Sequence, residues 1–93
     1  MTLAEAQAQL HEHNAQAARA RDFRLTAREY PGGASFLLDG QVFGEVHKGS
    51  TAWVWSFLVG RETASGRAST KGRAVAEVRN GAYYRVRAEL YGV

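Results

Sequence analysis

This sequence predicts an α+β domain: an N-terminal helix, an antiparallel meander of three to five strands, and a C-terminal helix packed on the sheet. Three observations predict it. A capping box opens an Ala/Gln/Glu-rich run, the apolar period then changes from helical to two, and a helical stripe returns after Ser69 and Thr70. The 93 residues read as a single domain, 1–93, because division would leave two cores too small to hold.

In the first helix, Thr2 is placed to accept an orphan amide N–H and Glu5 to reach back to the cap. The run to about Arg21 has good helix formers but a thin stripe, Leu3, Ala6, Leu10 and Ala17, interrupted by His13. So weak an amphipathic helix is peripheral or pairs with another chain. Phe23, Leu25 and Ala27 then alternate with Arg24, Thr26 and Arg28, as a strand with one wet face does. Pro31-Gly32-Gly33 ends it.

Strands over 34–38 and 41–47 flank Asp39-Gly40, a pair suited to the two positive φ angles of a type I′ turn. Lys48-Gly49-Ser50 is the next turn, and 51–59 the best strand. Both its faces read as apolar, with Trp53, Trp55, Phe57 and Val59 on one and Ala52, Val54, Ser56 and Leu58 on the other. It is therefore expected to be central and covered on both sides, by the C-terminal helix and by either the N-terminal helix or a second copy of the sheet. Gly60-Arg61 turns into a weaker strand, 62–68. Thr70 or Ser69 caps the last helix, whose stripe is Ala74, Val75, Val78 and Ala82. Asn80-Gly81 is a plausible stop, and Tyr84, Val86, Ala88 and Leu90 also alternate as a strand would. Continued helix is favoured, because an internal Gly costs only about 1 kcal/mol.

Composition narrows function. Without cysteine there is neither a disulfide framework nor a thiolate metal site. No secretory pattern opens the chain, and the most apolar stretch, 52–59, is too short for a bilayer, so a cytoplasmic setting without membrane contact is expected. The formal net charge is +3, unevenly spread. Residues 1–60 hold five basic and six acidic side chains, a balance of −1, whereas 61–93 hold seven and three, a balance of +4. A basic segment points to a polyanionic partner. Ten of the twelve basic residues are Arg, a bias that a GC-rich genome also produces.

The residues give little for enzyme chemistry, and neither catalytic residues, a metal nor a cofactor is expected. His11 and His13 stand about 200° apart on a helix and cannot share an ion. Glu45 and His47 share a strand face, where two polar residues on the wet side are the plainer reading. Gly60, Gly66 and Gly72 read as turn and strand-end residues, in no phosphate-loop spacing. The remaining signal is Ser65-Gly66-Arg67-Ala68-Ser69-Thr70-Lys71-Gly72-Arg73-Ala74, which joins the last strand to the helix. There a capped helix start, free amides and cations make a ready phosphate site, with Arg67, Thr70, Lys71, Arg73 and Arg79 as the candidate contacts.

Thr70-Lys71-Gly72-Arg73-Ala74, following a meander of strands, resembles two families. One is the double-stranded-RNA-binding domain, whose second helix opens with a Ser-Lys-Lys-x-Ala run. The other is the arm-site DNA-binding domain of integrases, where Thr-Lys-x-x-Ala starts the helix. The Asp-Gly hairpin, the Trp-Val-Trp strand and this junction together resemble small accessory proteins of actinobacterial tailed phages. The first resemblance implies phosphate contact at the helix start, the second a sheet that enters the major groove, and the third no defined activity. Together with the lack of catalytic residues they lead to the expectation of a small non-enzymatic accessory protein that contacts duplex phosphates through a basic C-terminal helix. The doubly apolar strand and Tyr83, Tyr84 and Tyr91 leave open an interaction module that forms a homodimer or binds and inhibits a host protein.

Overall fold

The computed structural model describes residues 2–92. Helix α1 (Leu3–Arg24) leads into strands β1 (Leu25–Tyr30), β2 (Gly33–Leu38), β3 (Gln41–Lys48), β4 (Trp53–Val59) and β5 (Glu62–Ala68), and helix α2 (Lys71–Tyr91) closes the chain. The strands form one antiparallel sheet in the order β1-β2-β3-β4-β5. The meander is the full five strands, and the helix–sheet–helix order agrees with the sequence reading. Among the described residues no helix is long and apolar enough to cross a membrane.

Turn chemistry sets the register. Asp39 (φ 55°) and Gly40 (φ 79°) both take positive φ, as the type I′ turn between β2 and β3 requires. Across that hairpin Phe36 pairs with Gly44 and Leu37 with Val42, leaving Phe43 as the extra residue of a bulge. The bulge turns Phe43 and Gly44 toward the same side. Phe43 is 2% exposed, and a Cβ on Gly44 would lie 3.0 Å from Val78 Cγ1.

The core lies between one face of the sheet and α2. Ala34, Phe36, Leu38, Phe43 and Val46 meet Ala74, Val78, Ala82 and Val86, with Trp53, Trp55 and Phe57 packed alongside. The stripe of α2 runs unbroken through Gly81 to Tyr91, so the helical reading of 82–91 holds. Gly81 is a place of close approach: a Cβ there would lie 2.6 Å from the ring of Phe57. Gly66 acts likewise in the middle of β5, where a Cβ would meet the Trp55 ring at 2.4 Å, so it is not the strand-end residue expected.

Two expectations about strands are corrected. The strand expected from Phe23 starts at Leu25; α1 continues to Arg24 and leaves Phe23 91% exposed. The fragment 23–28 fits both periods, and the helix prevails because Ala17 and Ala20 upstream are held against the rest of the fold. The strand expected over 51–59 begins at Trp53, lies second from the edge, and is covered on one side only. Val54 and Ser56 are half-buried and Leu58 is 40% exposed on a face with no second layer.

Helix α1 packs against α2 and the start of β1 instead. Its contact stripe has spacings of three and four: His13 stacks on Tyr91, Ala17 is buried, Ala20 touches the core, and Arg24 pairs with Glu89. The Tyr91 hydroxyl donates to Gln16 Oε1 at 2.5 Å. Leu3, Ala6 and Leu10 continue this stripe beyond the end of α2, and every residue from Thr2 to His13 is exposed. The capping box of Thr2 and Glu5 closes that free end. The projection makes the molecule 52 Å long, with a radius of gyration of 15.0 Å. A compact chain of this length has a radius of about 12 Å.

Candidate nucleic-acid interface

Connections in an antiparallel meander alternate between the two ends of the sheet. The β1–β2 turn, the β3–β4 loop and the β5–α2 junction therefore share one end. That end carries Lys48, Arg67, Lys71 and Arg73, with Glu29 and Glu45 as the carboxylates nearest in register. The loop 49–52 is tight: the Gly49 amide donates to the Ala52 carbonyl at 2.8 Å, and the Lys48 amide to the Gly32 carbonyl at 2.9 Å. A hollow of about 160 Å3 is lined by Ser50, Thr51, Val54 and Arg67. A second, of about 230 Å3, is lined by Lys48, Trp53 and Ser69.

Thr70 caps α2, its Oγ1 accepting from the Arg73 amide at 3.2 Å. The remaining first-turn amides have no acceptor within the helix. Arg73 is exposed. Lys71 is not its neighbour in space, because two residues along a helix is a rotation of about 200°. Lys71 turns in toward the sheet, where its Nζ lies 5.9 Å from the centroid of the Trp53 ring and donates to the Tyr30 carbonyl at 3.4 Å. It ties the helix start to β1 and has less left for a ligand. Arg67 is exposed on the sheet face opposite α2. Arg79 is exposed about 9 Å further along the helix than Arg73, away from this end. The fold thus brings Arg67, Thr70, Lys71 and Arg73 to one end of the sheet, Arg67 on its open face and Arg73 on α2, and leaves Arg79 apart.

Lys48 belongs to this end and was missed in the sequence. The alternation of turns was the signal that would have found it, since Lys48-Gly49-Ser50 and the β5–α2 junction are two connections apart. Among the described residues, none of Lys48, Arg67, Arg73 and Arg79 makes an ion pair.

The carboxylates are used at the other end. Arg24 donates to both oxygens of Asp39, at 2.8 Å from Nε to Oδ1, and through Nη2 to Glu89 at 2.6 Å. Arg85 Nε lies 3.5 Å from Glu89. The hydrogen bonds from Arg24 hold the Asp39 carboxyl below its ordinary range, and those to Asp39 and Glu89 raise Arg24 above its own. This network fastens α1, the β2–β3 turn and α2 together and leaves the opposite end as the cationic one.

An apolar cleft of about 590 Å3 lies between the end of β4 and the outer side of α2. It is lined by Phe57, Leu58, Val59, Gly81, Tyr84 and Ala88, with Glu77 and Arg85 among the polar groups. Glu45 and His47 are both exposed on the open sheet face, with no hydrogen bond joining them among the described residues. No group of three or more potential metal ligands occurs among the described residues. No protein-family model, curated protein or solved structure matches the chain.

Proposed function

We propose that this chain is a small, non-enzymatic, cytoplasmic nucleic-acid-binding protein that grips phosphates at the basic end of its sheet. The observation that carries the reading is the convergence of Lys48, Arg67 and Arg73, none ion-paired among the described residues, on the end where α2 begins. Cations held near free helix amides and a hydroxyl-rich loop suit phosphate oxygens. The sequence-independent attraction of such contacts is salt-dependent.

Fluorescence anisotropy with labelled oligonucleotides across a salt series tests this. Replacing Lys48, Arg67 and Arg73 together by Ala should weaken binding and flatten the slope of log K against log salt by about 0.7–0.9 per lost phosphate contact. Lys71→Ala should leave that slope nearly unchanged, because its charge is turned inward. Unchanged affinity in the triple variant would remove the proposed site.

A second reading, an interaction module that pairs with another copy of the chain, is favoured by Leu3 and Leu10, 76% and 50% exposed on a stripe that is buried further along α1. Sedimentation equilibrium at micromolar concentration should then give twice the chain mass, reverting to one in Leu3→Glu/Leu10→Glu. A strictly monomeric wild type would reject it.

A further inference from the structure

The open face of the sheet has a row that no apolar cover explains. Tyr30, Gly33, His47, Val54 and Arg67 are consecutive register partners across all five strands. Tyr30 is 45% exposed, and His47 and Arg67 are exposed. The residues between them are a glycine and a half-buried valine. Three planar groups, a phenol, an imidazole and a guanidinium, thus stand two strands apart, with about 9.6 Å between neighbouring positions. The next row, Arg28, Ser35, Glu45, Ser56 and Ser65, has three serines and so stays low. Glu45 is the one carboxylate among the residues that the register places on this face, against Arg28 and Arg67.

We infer that this face is a platform for single-stranded nucleic acid, which rests on the nucleic-acid reading above and names its substrate class. Unpaired bases stack on aromatic rings and on Arg guanidinium planes, and the contact tolerates any sequence because every base has a π face. Phosphates of the same strand reach Arg67 and Lys48 at the rim, where the row meets the basic end. Charge complementarity favours a polyanion. Width selects the single strand: five strands span about 19 Å, whereas the major groove of a duplex is about 12 Å wide and admits a helix or a two-stranded ribbon. A duplex also keeps its base faces stacked inside.

The test uses the full chain with a fluorescein-labelled 20-nucleotide single strand and a duplex of the same length, at low and physiological salt. The wild type should bind the single strand more tightly. Tyr30→Ala should lose about 5- to 150-fold in affinity for it, the range found when a stacking aromatic is removed. The salt slope should stay unchanged, since no charge is lost. Tyr30→Phe keeps the ring and should retain binding, which separates stacking from any loss of fold, and urea midpoints of both variants check folding directly. Equal or tighter binding of the duplex, or Tyr30→Ala behaving as wild type, overturns the platform and leaves the basic-end reading standing. No binding of either oligonucleotide at low salt overturns both.

Discussion

Replacing Gly81 by alanine sets two effects of known size against each other. Gly81 lies mid-helix in α2, where alanine is favoured by about 1 kcal/mol. A Cβ at that position would lie 2.6–2.7 Å from three carbons of the Phe57 ring, about an ångström inside ordinary contact. The ring stacks on Phe43 at 5.7 Å and on Trp55 at 5.6 Å, so moving away toward the cleft that it lines would disturb both contacts. Overpacking of this kind costs about 1–3 kcal/mol, so the variant should gain nothing from the better helix former and lose roughly 0–2 kcal/mol net. For a domain of this size that is a fall in Tm of up to about 15 °C. Urea denaturation and a thermal melt followed by circular dichroism measure it. Phe57→Leu is the control, since trimming the ring should make Gly81→Ala less damaging in the double variant than alone. A Gly81→Ala protein more stable than the wild type would refute the close approach and show that propensity alone governs the position.

Asp39→Asn tests the Arg24 network, and asparagine tolerates the positive φ of the turn. Because the folded-state pKa of Asp39 is depressed, its contribution is present above its ordinary value of 3.8 and is lost as pH falls through the lower folded value. Acid unfolding monitored between pH 6 and 2 should therefore be shallower in the variant. Thr70→Ala removes the cap of α2 and should cost about 1 kcal/mol in a urea titration, through loss of the bond to the Arg73 amide. Ala17→Glu forces a carboxylate into a site with no exposure and should release α1. Hydrogen exchange should then quicken in α1 while the amides of β3 stay protected.

Local chemistry made most of the fold legible. The Thr2–Glu5 capping box, the Asp39-Gly40 turn, the Thr70 cap and the stripe Ala74, Val78, Ala82 and Val86 each state their own structure within a few residues. The failures are tertiary. Phe23 reads as the start of a strand because 23–28 alternates, yet contacts made further back along α1 carry the helix past it. Trp53 to Val59 reads as doubly covered because both faces are apolar. The one available cover, α2, lies on the Trp53, Trp55 and Phe57 side, and α1 is spent on α2.

The site divides along the same line, and the division has a geometric cause. Lys71 and Arg73 read together in the sequence because they are close along the chain, but a helix rotates them about 200° apart and gives one to the sheet and the other to solvent. The rotation that separates His11 from His13 separates them too. Lys48 and Arg67, 19 positions apart in the chain, arrive at the same end because an odd number of reversals lies between the loops that carry them. Tyr30, His47 and Arg67 align for the same reason, each at the matching register of alternate strands. A cationic site in a meander is therefore assembled by the parity of turns and strands rather than by any contiguous motif. The contiguous motif, Thr70 to Ala74, starts and seats the helix and turns Arg73 to solvent, while parity delivers Lys48 and Arg67 to the same end.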